Sequence, residues 1–243
     1  MKRIKIIETR GQGELTEHRQ RIAFHEAGHA AGICLNNKAR QLPPVFFKII
    51  FKGMGGVTET ESMAYKVAHD ECMAHVEGGR LIESLPSSID NLVCELTEHD
   101  NSLKQLAEDY MVAFDADIIN LLIGPLAEAK RVAEMDDELF NQKLVNLKAL
   151  ENYGGDSDLA LVNEYLQSFS TDKRQQAEKL NELFNVAFDF INNDENWAAI
   201  TKLAGYILGG DQNTIYCEEI ASTLEQSVDG IPSKGAVAGG CHG

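Results

Sequence analysis

The apolar and polar positions along most of the chain alternate with the period of an α-helix. Between residues 15 and 36 the apolar side chains of Ile22, Ala23, Ala30 and Ile33 fall on one face, which predicts an amphipathic helix. The same kind of pattern predicts further helices at about 62–85, 102–135, 158–167, 172–192, 195–208 and 216–227.

One segment has the composition of a β-strand. The run VFFKIIF at 45–51 is rich in β-branched and aromatic residues, follows two prolines and is followed by glycines. Gly124-Pro125 is predicted to break or kink the helix at 102–135, because proline lacks the amide hydrogen that a helix needs. We therefore predict a mainly α protein (α+β) with a short β-sheet, one domain over 1–227 and a disordered glycine-rich tail at 228–243.

Composition and charge narrow the classes of function. The 243 residues are 44% hydrophobic and 25% charged, as in ordinary globular proteins. The net charge of −16 repels nucleic acid and anionic membranes, so we expect neither as a partner. Five cysteines, odd in number and without a CxxC pair, favour reduced thiols in a cytoplasmic protein. No stretch approaches the roughly 20 apolar residues of a membrane-spanning helix, so no membrane segment is predicted.

The clearest chemical signal is the sequence HEAGH at 25–29. On a helix, His25 and His29 lie one turn apart on the same face, so that both imidazoles can bind one zinc ion. Glu26, beside the first histidine, is placed to take a proton from a zinc-activated water. The glycine at 28 and its small neighbours let another element approach this helix closely. The alternative is a polar helix face with two unrelated histidines.

A zinc site that keeps one position open for water needs a third protein ligand. Asp158 is the candidate, because it stands at the first turn of a predicted helix directly after a Gly-Gly loop. Two alternatives stay open from the residues alone. Asp156, Ser157 or Asp158 could simply cap the helix, and Asp156 is the nearest competing ligand.

Four segments, in order, resemble the peptidase domain of the FtsH-type zinc metalloproteases, the proteolytic half of membrane-bound ATP-dependent proteases. They are FHEAGHA at 24–30, FKIIFKGMGGVT at 47–58, LLIGPLAEAKRV at 121–132 and YGGDSDLALVNEYL at 153–166. The resemblance extends over residues 20–226. It implies a zincin-like helical domain with a short β-sheet, in which His25, His29 and Asp158 bind Zn²⁺ and Glu26 is the catalytic base.

The resemblance also implies where a substrate binds. In that family the Gly-Val-Thr ending of the strand lines the groove, so Gly56, Val57 and Thr58 are expected to pair with the substrate backbone. The chain departs from the family at three motif positions, with Ser157 for Asn, Pro125 for Gly and Leu126 for Arg or Lys. The segment at about 60–100 is an insertion without a counterpart, which is expected to shield or shape the groove.

We therefore predict a cytoplasmic, zinc-dependent metalloendopeptidase that hydrolyses peptide bonds of unfolded or flexible protein segments. The sequence carries neither a P-loop motif nor the membrane anchors of that family, so a separate ATPase partner or a homo-oligomer stays open. A second class also stays open, namely a non-catalytic or latent peptidase-fold module for binding or regulation. Zinc is the expected metal, although iron, cobalt and nickel also suit two histidines and one carboxylate.

Two other residue groups have simpler interpretations. His69, Cys72 and His75 are spaced three apart and drift around a helix, so a solvated or half-buried face is favoured over a second metal site. Four aromatic residues at helical spacing are predicted to be core residues, namely Phe184, Phe188, Phe190 and Trp197.

Overall fold

The protein is mainly α-helical with a small antiparallel sheet, as the sequence predicted. The computed structural model describes residues 2–52, 73–89 and 101–225, with side chains at 15–51, 74–89 and 104–225. The helices are α1 (Lys2–Ala31), α2 (Asn37–Ala39), α3 (Asn101–Met135), α4 (Asp156–Phe169), α5 (Lys173–Asn192), α6 (Asp194–Gly209) and α7 (Cys217–Glu225). The strands are β1 (Phe47–Lys52), β2 (Met73–Gly78) and β3 (Thr214–Tyr216). A π-helical turn (Gly32–Asn36) joins α1 to α2, and a 3-10 helix (Ala149–Tyr153) precedes α4.

The long helix α3 is the central element of the core. The side chains of Ile118, Ile119, Leu122 and Ile123 are fully buried in its middle, and α1 and α5 pack against it. The helix runs through Pro125 without interruption, so a break at this residue is wrong, whereas the alternative, a kink, stays a prediction. Proline removes one helical hydrogen bond, but burial of the surrounding apolar side chains holds the helix together.

By length and composition alone, α3 could also cross a membrane, which the sequence analysis did not anticipate. Its apolar part spans Lys104–Met135, and 67% of the most apolar stretch is buried inside the protein. Such burial is typical of the core helix of a globular protein.

A glycine lets α1 lie directly against α3, as the sequence predicted. A Cβ added at Gly28 would lie 2.8 Å from the Cβ of Ala127 and 2.9 Å from the carbonyl oxygen of Ile123. Both distances are shorter than van der Waals contact, and one of the two atoms belongs to the backbone. Fully buried alanines continue this contact along α1, namely Ala23, Ala27, Ala30 and Ala31. Small side chains therefore set the distance between the two helices.

The sheet has the order β2–β1–β3, so that β1 is its central strand. Phe47, Ile49 and Phe51 of β1 are at most 5% exposed and form the core face of the sheet. The strand β3 pairs with β1 antiparallel and was not predicted from the sequence.

The strand β2 replaces part of the helix predicted at 62–85, and that prediction is wrong over this part. Residues 73–78 pair antiparallel with β1 along their whole length, with Gly78 opposite Phe47. Main-chain hydrogen bonds to a distant strand outweigh the helical preference of the local residues. The remainder of the predicted insertion at 60–100 is described only in part, and the tail at 228–243 lies outside the described residues.

The helices after α4 end within one or two residues of their predicted limits. Phe184 and Phe188 of α5 are 6% and 7% exposed, which confirms them as core residues. Phe190 and Trp197 are partly buried against the same core. The indole Nε1 of Trp197 donates a hydrogen bond of 2.8 Å to Glu134 of α3.

Candidate metal centre

His25, His29 and Asp158 come together, although the aspartate is more than a hundred residues away in sequence. Their candidate ligand atoms all lie within 4.8 Å of one another. The two Nε2 atoms are 3.1 Å apart. Oδ2 of Asp158 lies 3.2 Å from Nε2 of His25, and Oδ1 lies 3.4 Å from Nε2 of His29. The three side chains therefore converge on one small volume between α1 and α4.

Hydrogen bonds behind the imidazoles determine which ring nitrogen faces this centre. Nδ1 of His29 lies 2.9 Å from the carbonyl oxygen of Asn120, which can only accept, so Nδ1 carries a hydrogen. Nδ1 of His25 lies 3.1 Å from the Glu128 carboxylate and 3.2 Å from the carbonyl oxygen of Tyr153. In the neutral rings, both Nε2 atoms therefore direct lone pairs at each other. Such an arrangement needs positive charge between the nitrogens.

The pKa values of the three side chains also indicate that the centre favours positive charge. Burial alone would lower the pKa of His25, but the carboxylates of Asp158 and Glu128 raise it well above its usual value. Asp158 likewise raises the pKa of His29 against the effect of burial. Burial would raise the pKa of Asp158, but the two imidazoles hold it far below its usual range. The cluster attracts positive charge, which protons or a divalent cation can supply.

Two carboxylate oxygens at the centre are buried without a hydrogen-bond partner. They are Oε2 of Glu26 and Oδ2 of Asp158. Glu26 is 5% exposed, and burial raises its pKa although His25 and His29 partly offset the effect. A buried acceptor without a partner is costly, and an ion or a water at the centre would remove that cost.

The loop before α4 aims Asp158 at the histidines. The helix begins at Asp156, and its N-cap is Gly155, which makes no side-chain capping bond. Gly154 has a φ of +68°, and a Cβ there would lie 3.2 Å from Nδ1 of His25. Asp156 is exposed to solvent. Asp158 is therefore a helical residue that faces the centre, and neither capping nor Asp156 takes its place.

One face of α3 supports the centre from behind, and the sequence analysis missed this face. Asp117, Asn120, Gly124 and Glu128 are spaced three or four apart, so they lie along a single stripe of the helix. A Cβ at Gly124 would collide with the imidazole of His29. The sequence did contain a signal for this face, namely polar residues at helical spacing within an otherwise apolar helix.

Two side chains of α1 hold Glu128, a member of this stripe. It accepts a hydrogen bond of 2.9 Å from Nε of Arg21 and lies 3.1 Å from Nδ1 of His25. Burial would raise the pKa of Glu128, but His25 and Arg21 lower it. An ionised carboxylate therefore stands behind His25, as in many sites where histidine binds zinc.

A cavity of about 450 Å³ opens beside the three side chains. The strand β2 forms part of its wall, and among the described strands β2 pairs only with β1. His75 of β2 lines this cavity, and its charge influences Glu26. The other members of the predicted second cluster, His69 and Cys72, lie outside the described residues.

The residues predicted to bind substrate, Gly56, Val57 and Thr58, also lie outside the described residues. The strand that leads towards them, β1, is flanked by β2 and β3. Among the described strands, the one that lines the cavity is β2.

Comparisons with known proteins give no relative. No model of a protein family matches the chain, and no curated protein or solved structure matches it. The resemblance to FtsH-type peptidases therefore rests on the four sequence motifs.

Proposed function

We propose that the protein is a zinc-dependent metalloendopeptidase of the FtsH peptidase type that cleaves unfolded or flexible protein segments. One observation carries the proposal. The Nε2 atoms of His25 and His29 and the carboxylate of Asp158 converge on one point, while the Nδ1 atoms are held from behind. Two histidines and one carboxylate leave one position of a tetrahedral zinc ion open.

The donor set suits zinc in chemical type and in charge. Imidazole nitrogen and carboxylate oxygen are ordinary zinc ligands, and hydrogen bonds from Nδ1 to Glu128 and to the carbonyl of Asn120 orient the rings. The unpartnered Oδ2 of Asp158 is an atom that a cation would satisfy. Zinc bound by these residues would supply Lewis acidity and would lower the pKa of a water molecule at the site to around 7.

Glu26 moves the proton in this mechanism. Its carboxylate is buried next to the ligands, with Oε2 free of hydrogen bonds. Oε2 accepts the proton of the attacking water and then delivers it to the leaving amine.

The strand β2 offers the backbone to which an extended substrate can pair. It lies at the edge of the described sheet and lines the cavity beside Glu26. Main-chain pairing of this kind depends little on the side chains of the substrate, and it requires an unfolded segment.

The test is the substitution Glu26→Gln. It removes the proton acceptor but keeps the shape, so we expect one zinc per chain by mass spectrometry and a loss of casein cleavage of at least about 100-fold. The matched control is Glu164→Gln, which makes the same change at an exposed position of α4. Native cleavage should stop with a chelator and return with zinc.

Unchanged turnover in Glu26→Gln would contradict the proposed function. One zinc per native chain without any cleavage would instead favour the non-catalytic or latent peptidase-fold module.

A further inference from the structure

The loop after β2 brings Arg80 to the cavity. The proposed mechanism gives this arginine no role. Gly78 and Gly79 have φ values of +88° and +84°, which other residues rarely adopt. A Cβ at Gly78 would lie 2.7 Å from the carbonyl oxygen of Phe46. This two-glycine turn places Arg80 in the cavity wall.

A buried carboxylate holds the loop that carries the arginine. Asp117 of α3 is 2% exposed and accepts hydrogen bonds from the amides of Leu81 at 2.9 Å and Ile82 at 3.0 Å. It also accepts a hydrogen bond of 2.9 Å from the hydroxyl of Tyr165. Asp117 thus ties the loop to the same face of α3 that supports His25 and His29.

The side chains of Tyr165 and Asp117 lie near Arg80, and its guanidinium affects the pKa of both groups. The arginine is nevertheless exposed as a residue. A guanidinium has five N–H donors, so this exposed arginine keeps donors for a ligand in the cavity.

The charge of Arg80 is distinctive at this position. Among the described residues that line the cavity, it is the only arginine or lysine. The chain as a whole carries a net charge of −16 and repels acidic peptides elsewhere. A carboxylate of a substrate therefore finds its cationic partner here, in the planar two-donor geometry that arginine offers.

The spacing along α3 gives the separation between the anchor of the Arg80 loop and the residue that contacts His29. Asp117, which anchors the loop of Arg80, is seven residues before Gly124, which touches His29. Seven residues of helix span about 10 Å. An extended peptide covers about 3.3 Å per residue, so this distance corresponds to about three substrate residues.

We propose that Arg80 binds a carboxylate of the substrate about three residues from the scissile bond. This inference rests on the proposed function and adds a substrate class to it, namely peptides with a carboxylate at that distance. The carboxylate can come from an acidic side chain or from the C-terminus of the peptide.

The experiment uses the zinc-loaded protein and matched quenched fluorescent peptides. One pair carries Glu or Gln at the third residue on either side of the cleaved bond, and a second pair ends there in a free or an amidated C-terminus. We expect a KM about tenfold lower for the carboxylate member of one pair, with similar kcat. Arg80→Gln should abolish this difference, and Arg80→Lys should restore part of it because lysine keeps the charge but not the fork.

The matched control is Arg174→Gln, which removes the same charge from an exposed position of α5 and should keep the native preference. Raising the ionic strength of the native protein should raise KM for the carboxylate peptide alone. This measurement uses the native protein, so its result does not depend on whether the Arg80→Gln variant folds.

The two peptide pairs identify the source of the carboxylate. A preference within the Glu/Gln pair assigns it to an acidic side chain, and a preference within the free/amidated pair assigns it to the C-terminus. Equal KM values in both pairs, or a preference that survives in Arg80→Gln, would overturn the inference.

A binding measurement separates this inference from the proposed function. Glu26→Gln protein, with and without Arg80→Gln, is titrated into the same peptides carrying a fluorescent label, and anisotropy reports affinity. Tighter binding of the carboxylate peptide that depends on Arg80 supports the inference even where no cleavage occurs. Cleavage that depends on Glu26, without any carboxylate preference, supports the proposed function and overturns the inference alone.

Discussion

At the scale of single residues, the candidate centre depends on atoms that are not ligands. The carbonyl oxygen of Asn120 fixes the hydrogen on Nδ1 of His29, and Glu128 does the same for His25. Gly124 contributes by having no side chain, because any Cβ there would occupy the space of the His29 ring. The positions of the three candidate ligands are thus set by α3, whose own residues lie behind the two imidazoles.

The substitution Gly124→Ala tests this dependence. The added methyl group should displace His29 and weaken zinc binding by at least about tenfold, as loss of a supporting contact behind a ligand commonly does. Competition with a chromophoric chelator measures the affinity.

The control for this substitution is Gly205→Ala in α6, where a Cβ would meet nothing within 4 Å. Its zinc affinity should be unchanged, and its helix should gain about 0.5–1 kcal/mol of stability. Native zinc affinity in Gly124→Ala would show that the ring does not need this space.

The three residues that come together could be predicted from the sequence, but the groups that support them could not. HEAGH is a local motif whose helical spacing alone places His25 and His29 side by side. Asp158 required a resemblance to a known family, because nothing local indicates that two distant segments meet. Glu128 and Arg80 depend on packing between α3, α1 and the loop after β2, which no spacing within one element reveals.

At the scale of elements, a buried amide network joins the end of α1 to α3. Asn120 Oδ1 accepts a hydrogen bond of 2.9 Å from Asn36, and Asn120 Nδ2 donates one of 2.9 Å to Asn37. All three residues are at most 6% exposed. The sequence predicted a helix that ends at residue 36, yet the chain continues through a π-helical turn into α2. The network holds this irregular segment against α3.

The substitution Asn120→Ala should lower the free energy of unfolding by about 1–3 kcal/mol, because Asn36 and Asn37 lose buried partners. Zinc binding should survive, since His29 bonds to the backbone carbonyl of residue 120 and not to its side chain. Urea unfolding and zinc stoichiometry measure the two effects separately.

The control is Asn185→Ala, whose amide makes an exposed hydrogen bond to Gln142, and a change within about 0.5 kcal/mol is expected. Equal stability of the Asn120→Ala variant and the native protein would mean that the network does not stabilise the fold.

The core helices from α3 onward were predicted well, whereas the strands β2 and β3 were missed, for a physical reason. The core helices carry an apolar stripe over many turns, and this signal is contained in the element itself. The strand β2 is six residues long, and its partner β1 lies more than twenty residues earlier in the chain. Its residues Ala74, His75 and Glu77 have no strand preference, so only the pairing with β1 determines their conformation.

At the scale of the whole molecule, a metal ion would link α1 to α4 across more than a hundred residues of sequence. His25 and His29 lie near one end of the described chain, whereas Asp158 follows the central helix α3. A cation bound to all three ligands stabilises only the folded state, because the unfolded chain does not bring them together. Metal binding should therefore appear as thermal stability of the whole domain.

Removal of zinc should lower the melting temperature. Zinc at a free concentration 100 times its Kd stabilises the folded state by about 2.7 kcal/mol. In a domain of this size, each kcal/mol shifts Tm by about 2–4 °C, so a chelator should lower Tm by roughly 5–10 °C.

The acidic surface, with its net charge of −16, also binds cations weakly and needs a control. Asp158→Asn supplies it, because the variant keeps the surface but loses one ligand charge. Zinc should raise Tm in the native protein and hardly at all in Asp158→Asn. An equal response of both proteins would place the stabilising cations on the surface and not at the centre.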